Sequence, residues 1–298
     1  MDVPSQQGRT ALVTGANGGI GYETALALAR AGARVTLAAR DQRRIEEAAA
    51  RIEAAVPGAE VDVLRVNLAL LASVEEAAGT VLADDRPLDL LVNNAGVMAI
   101  PRRRETKDGN EVTFATNHLG HFALTGRLLP ALLRAGAPRV VTVSSVAARG
   151  RTATLDDPQS EDGYRPMQAY ARSKLANLLF TQELARRAAG TPLVAAAAHP
   201  GTSATGLQRN GSFVARTLAP LVLTRLVGHP PDLAAQSLVY AATAPGVEPG
   251  AFVGPTGARE ARGEPGPVPL PSTATDPAAG RELWALSERL TGVTYALG

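Results

Sequence analysis

Between residues 10 and 199 the chain alternates short β-type runs with amphipathic helical stretches, and this alternation restricts the fold more than any other feature. The spans 10–14, 34–39, 60–66, 88–92, 139–144 and 193–199 read as strands, several of them near-continuous apolar runs suited to burial on both faces. Helical periodicity fills 19–31, 43–55, 73–83, 111–134 and 168–187. A strand–helix–strand order of this kind closes into a parallel sheet covered by helices on both faces, with right-handed crossovers. The expectation is α/β: a doubly wound sheet of about seven strands in a single domain spanning 1–298. After His199 the pattern changes. Residues 202–230 carry no strand signal and read as a lid; 244–298 form a loop-rich tail with a short strand near 251–253 and a last helix at 276–290.

Composition removes several functions. With no cysteine, a disulfide framework, a zinc–thiolate site and a cysteine nucleophile are all excluded. Thirty cations against twenty-eight anions give a net charge of +2, and aromatics are 4%, too little field and too few stacking platforms for nucleic acid. No apolar run reaches membrane-spanning length, and the polar N-terminus shows no secretory leader, so a cytoplasmic location is expected. Of the thirty cationic side chains only Lys107 and Lys174 are lysines. Where arginine is the rule, a lysine marks a place that wants a compact, titratable charge.

The first strand runs into Thr14-Gly15-Ala16-Asn17-Gly18-Gly19-Ile20-Gly21 and then into a helix. Glycines there permit a tight turn and let backbone N–H groups approach a pyrophosphate at the positive end of the helix. This is the context of a Rossmann-type dinucleotide site. The second strand ends in Ala39-Arg40-Asp41. A carboxylate at this point would accept hydrogen bonds from a ribose 2′-hydroxyl, whereas the planar fork of Arg40 suits a 2′-phosphate. The expectation is NADP(H) in preference to NAD(H), with Asp41 as the residue that would instead serve the ribose.

Tyr170-Ala171-Arg172-Ser173-Lys174 places a phenol and an ammonium on one face of a helix. A free phenol titrates near 10, too high for proton transfer at neutral pH. A neighbouring cation favours phenolate, and a shift of roughly two to three units corresponds to about 3–4 kcal/mol. Ser144-Ser145 ends the fifth strand, where a hydroxyl can hold a substrate oxygen. His118 and His121 lack an acidic partner at metal spacing and read as packing or surface residues, so no metal site is expected.

Together with Asn93-Asn94-Ala95-Gly96 after the fourth strand, these runs resemble the short-chain dehydrogenase/reductase family, compact branch. Asn-His-Leu-Gly-His-Phe at 117–122, Ser-Lys-Leu-Ala-Asn at 173–177 and the long insert 147–167 look like its retinol-dehydrogenase-like subgroup. The resemblance implies catalytic roles for Asn117, Ser145 (rather than Ser144), Tyr170 and Lys174. It implies a cofactor bordered by Gly15, Asn17, Gly18, Gly19, Ile20, Gly21, Arg40, Asn67, Leu68, Asn94, Ala95, Gly96, Tyr170, Lys174, Pro200, Gly201 and Ser203. Asn67 departs from the aspartate common among relatives but keeps an acceptor oxygen. Asn117 would hold a water in a proton relay to Lys174, and the loop after His199 would cover the nicotinamide. The implied function is hydride transfer between the cofactor and a lipophilic ketone or aldehyde, or the corresponding alcohol. The same residues would also serve C=N or activated C=C reduction, or a redox-neutral reaction. A non-catalytic NADP(H) sensor is the reading from another class. Relatives often pair through the helices carrying Asn117 and Tyr170, which implies a homodimer or homotetramer, although the insert and tail compete for that surface.

Overall fold

Strand β1 (Thr10–Thr14) shows why the sheet needs cover on both sides. Its Ala11 and Val13 enter one core with Val35, Leu37, Leu90 and Val92, while Leu12 enters the opposite core with Leu64, Leu91 and Leu128. Side chains alternate across a strand, so a chain with apolar residues at consecutive positions fills two layers at once. The computed structural model describes residues 1–150, 153–201 and 230–297. The strands that follow are β2 (Arg34–Ala39), β3 (Val61–Arg65), β4 (Leu90–Asn93), β5 (Arg139–Val143), β6 (Val194–Ala198), β7 (Phe252–Pro255) and β8 (Pro265–Pro267). They form one sheet in the order β3-β2-β1-β4-β5-β6-β7-β8, parallel except for the β7–β8 pair.

The sheet thus has eight strands where about seven were expected. The extra one, Pro-Gly-Pro, carries no strand signal, because proline cannot donate to a ladder. It is tolerated at the sheet edge, in register opposite β7. Helices α1 (Gly19–Arg30) and α2 (Gln42–Ala55) cover one face with α7 (Pro231–Thr243), a helix the periodicity had not revealed. The other face carries α3 (Leu71–Ala83), α5 (Gly120–Leu133), α6 (Pro166–Arg187) and α8 (Pro277–Thr291).

The continuous helix expected over 111–134 is instead three pieces. A single turn, α4 (Val112–Phe114), leads into a π-helical turn at Ala115–Leu119 and then into α5. Gly120, where the π turn ends, lies so close to Leu68 that an added Cβ would sit 2.2 Å from the Leu68 carbonyl oxygen. The widened turn carries Asn117, and π turns of this kind concentrate at functional sites. Among the described residues no helix is long and apolar enough to cross a membrane. The expected lid lies outside the described residues except for Pro230.

Candidate active site

In an open parallel sheet a ligand sits outside the carboxyl ends of the strands where the strand order reverses, and here that point lies between β1 and β4, neighbours although two strands intervene in sequence. The glycine turn leaves β1 here. Gly15 adopts φ +69°, and a Cβ on it would stand 2.9 Å from Cα of Ala95. A Cβ on Gly21 would stand 2.5 Å from Nδ2 of Asn94. These two glycines therefore seat the turn against Asn94-Ala95-Gly96, which Asn94 secures by donating from Nδ2 to the Thr14 carbonyl at 2.7 Å. Gly18 and Gly19 face open space instead. Helix α1 begins there with no side-chain cap and no acidic residue in its first turn. A cradle closed behind and open in front, at a positive helix end, fits a dinucleotide pyrophosphate.

On the β2 side, Arg40 is exposed and makes no ion pair among the described residues. The Asp41 carboxylate is committed elsewhere: it caps α2 by accepting from Arg44 N at 3.2 Å. Asn67 turns its Oδ1 onto Ala69 N at 3.2 Å, so its amide group is the part left to meet a base. Leu68 is buried against Gly120.

On the β5 side the chemical residues converge. Ser145 follows β5; its Oγ accepts from Ala147 N at 3.2 Å, capping the short turn that follows, and the hydroxyl lies near enough to the Tyr170 phenol to pull its pKa down. Ser144 points the other way and donates to the Lys174 carbonyl at 2.8 Å, which leaves Ser145 as the serine facing the tyrosine. Lys174 Nζ donates to the Val143 carbonyl at 2.8 Å, 5.7 Å from the Tyr170 ring centroid. Tyr164, the alternative tyrosine, is spent on the Ile100 carbonyl at 2.8 Å. Both Tyr170 and Lys174 are buried. Burial pushes the phenol up, partly offset by the Ser145 hydrogen bond, and brings the Lys174 ammonium down to about 8. The phenol is thus shifted opposite to the direction expected from its neighbouring lysine: desolvation raises it, and Lys174, bonded to the Val143 carbonyl, is not what offsets that rise.

Asn117 is fully buried, and its side chain is occupied. Its Oδ1 accepts from Val97 N at 2.7 Å, and its Nδ2 donates to the Val97 carbonyl and to Ser173 Oγ, both at 2.9 Å. It clasps the strand-end loop to α6, and its backbone carbonyl is engaged as well. That oxygen accepts from His121 Nδ1 at 3.0 Å. The His121 tautomer follows: Nδ1 carries the proton, so Nε2 accepts from Thr14 Oγ1 at 2.9 Å. Thr14 Oγ1 in turn accepts from Asn94 N and Ala95 N. His118 and His121 are both buried, so neither is a surface residue, and His121 joins the cofactor floor to Asn117. The spacing contained a hint of this, since residue 121 is one helical turn from 117. Asn177, also not anticipated, shares the Val143 carbonyl with Lys174 at 3.0 Å. Pro200 and Gly201 leave the end of β6, next to β5; Ser203 lies outside the described residues.

This geometry is that of a nicotinamide-dependent oxidoreductase of the doubly wound class. A family model described as short chain dehydrogenase matches residues 9–212, and the chain belongs to that family. It is 44% identical over 296 residues to polyprenol dehydrogenase of Mus musculus, covering 97% of this chain and 86% of that protein. It is 38% identical over 292 residues to retinol dehydrogenase 13 of Homo sapiens, covering 96% and 85%. Among solved structures, an uncharacterised protein from Mycobacterium paratuberculosis superposes with a TM-score of 0.81 at 42% identity, covering 99% of this chain and 98% of that one. RhlG of Pseudomonas aeruginosa, solved as an active-site complex with NADP, gives 0.67 at 27% identity, covering 83% and 94%. The chain is therefore a short-chain dehydrogenase of the retinol-dehydrogenase-like subgroup.

Proposed function

We propose that this protein interconverts a lipophilic aldehyde or ketone and its alcohol with NADP(H), using Tyr170 as the general acid and base. The observation that carries the reading is the buried Tyr170 phenol one helical turn from the buried Lys174, whose Nζ lies 5.7 Å from the ring centroid, beside Ser145 at the end of β5. The cradle of Gly15, Asn17, Gly18, Gly19, Ile20 and Gly21 would hold the pyrophosphate, and Arg40 a 2′-phosphate. Support for NADP(H) over NAD(H) comes from the free fork of Arg40 and from the engagement of Asp41 in capping α2. Bound NADP(H) supplies or takes up the hydride. Ser145 donates to the substrate oxygen and fixes its direction. Tyr170, held protonated by burial, delivers the proton to that oxygen in reduction and recovers it in oxidation. Lys174 keeps a positive group beside the phenol, and Asn117 braces α6 by bonding Ser173 and Val97. Polyprenol and retinol, named for two relatives, are both long apolar alcohols and indicate the substrate class. Self-association through α5 and α6 would have to displace α8, which packs across both.

The test is NADPH oxidation with retinal, long-chain isoprenoid aldehydes, lipophilic ketones and cyclic imines, with NADH as comparison. Turnover should favour NADPH and aldehydes or ketones, and Tyr170→Phe should lose roughly 10²–10⁴-fold in rate while retaining cofactor affinity. Tight NADPH binding without turnover of any substrate would refute the reductase reading and leave the sensor. Turnover confined to imines would move the reaction to C=N bonds.

A further inference from the structure

Ser145 and the His199-Pro200-Gly201 loop leave the carboxyl ends of adjacent strands, β5 and β6, whose last residues Val143 and Ala198 are register partners. Arg40 and Asn67 follow β2 and β3, on the far side of the glycine turn. A dinucleotide laid across this edge therefore has its adenine half over β2 and β3 and its reacting half over β5 and β6. One ion cluster joins the two loops at the reacting half. Arg149, in the short turn that Ser145 caps, donates from Nη2 to Glu260 Oε1 and Oε2 at 2.8 and 2.9 Å and to the Pro269 carbonyl at 2.6 Å. Glu260 Oε2 lies 2.9 Å from His199 Nε2. His199 is wholly buried, and its Nδ1 accepts from Gly201 N at 3.2 Å, which leaves the proton on Nε2, the nitrogen 2.9 Å from the carboxylate.

The surroundings are built around this contact. A Cβ on Gly254 of β7 would fall 2.0 Å from His199 Nε2, so only glycine leaves room for the ring. Gly201, at φ +72°, passes 2.7 Å (measured from an added Cβ) from the Ala261 carbonyl. Arg259 and Glu260 both adopt left-handed backbone, at φ 53° and 54°, a conformation that costs energy in residues with side chains. The tail accepts that strain at the residue whose carboxylate spans the two loops. The partners are partly exposed, with side-chain accessibilities of 29% for Arg149 and 21% for Glu260, and pairs of that kind contribute little to stability.

We propose that Glu260 is a positioning residue: by holding Arg149 and His199 together it sets the spacing between Ser145 and the Pro200-Gly201 loop, and so the seat of the nicotinamide. The proposal rests on the cofactor reading above. Its effect belongs to the reacting half of the cofactor alone.

The experiment is calorimetric titration of wild type, Glu260→Gln and Glu260→Ala with the full cofactor and with a ligand for the adenine half only. The pair is NADPH and adenosine 2′,5′-bisphosphate, or NADH and ADP should wild type bind NADH more tightly. Steady-state kcat and KM and the thermal midpoint are measured alongside. Both variants should bind the full cofactor about tenfold or more weakly, with a raised KM for it, while the adenine-half ligand changes by less than about twofold. Glu260→Gln keeps the shape of the side chain, so its result stands even if Glu260→Ala fails to fold. Equal weakening of both ligands, or a lower thermal midpoint with both affinities unchanged, would overturn the proposal and make Glu260 a structural tie. Wild type that binds neither ligand of either pair would overturn the cofactor reading itself, and this proposal with it.

Discussion

Burial acts on Tyr170 and Lys174 alike, by disfavouring whichever form is charged, and the consequences for protonation are opposite. The phenol is pushed up and stays protonated, as the proposed proton donor to a forming alkoxide requires. The ammonium falls from its ordinary 10.5 to about 8. Below pH 8 Lys174 is charged in both folded and unfolded chains, and the whole cost of burying it is present. Between 8 and 10.5 the unfolded chain binds the extra proton, so stability rises with pH. Lys174→Met should therefore stabilise the protein by about 3 kcal/mol at pH 7, with the gain fading as pH approaches 10.5. The Val143 carbonyl keeps Asn177 as its donor in that variant. Urea midpoints of the two proteins at pH 7 and 10 measure this, and a difference that is the same at both pH values contradicts it. Arg40 carries the second residue-scale prediction. Arg40→Ala removes a charge-assisted contact worth about 1.5–3 kcal/mol, so KM for NADPH should rise roughly ten- to a hundredfold while KM for NADH stays within about twofold. An equal change for both cofactors would deny Arg40 the 2′-phosphate.

Helix α8 closes the apolar layer over α5 and α6. Trp284, 2% exposed, sits 5.0 Å from Phe122, 5.8 Å from Phe180 and 4.5 Å from Tyr295, centroid to centroid, and its indole N–H reaches Glu288 at 2.9 Å. Truncating it opens a cavity where three rings meet, and Trp284→Ala should cost about 3–5 kcal/mol in denaturant unfolding. A loss under about 1 kcal/mol would mean that α8 is not part of the cooperative core. This helix was legible in the sequence to within one residue, as were β1, β2 and α1, because an apolar period set between clear breaks defines an element locally. Other features were not, for a shared reason. The π turn at Ala115–Leu119 leaves apolar periodicity intact and reflects the close approach of Gly120 to Leu68, a tertiary contact. Strand β8 is Pro-Gly-Pro, which reads locally as a turn and becomes a strand only beside β7. The site divides in the same way. The glycine turn, Asn94-Ala95-Gly96, Ser145 and Tyr170-x-x-x-Lys174 are contiguous runs whose spacing already implies chemistry. The bonds from His121 to Thr14 and from Glu260 to Arg149 span more than a hundred residues each, and no local pattern announces them.

Three of the four histidines tie together parts of the molecule that are distant in sequence, and all three are buried in the neutral form. His118 bonds Ser287 of α8 at 2.8 Å, His121 joins the cofactor floor to the π turn, and His199 meets the tail through Glu260. Desolvation lowers His118 to about 3 and His121 to about 4, while His199 is lowered by burial against the opposing pull of Glu260. An unfolded histidine takes a proton near 6.5, so below that pH the unfolded chain binds protons that the folded one refuses. Stability from these groups is complete above 6.5 and is lost as pH falls toward 4. At pH 5 His118 and His121 should each have cost about 2 kcal/mol, or about 4 kcal/mol together, a large share of the stability of an ordinary domain. Paired carboxylates such as Glu183, held low by Arg186 and Arg187 against its own desolvation, weaken the fold only at lower pH. The two causes therefore separate by window. Urea midpoints should fall steeply between pH 6.5 and 5, and His118→Gln should flatten that slope by about half of the two-histidine contribution. Midpoints that coincide at pH 7 and pH 5 would mean that these rings accept protons without breaking the contacts that join the layers, the cofactor floor and the tail.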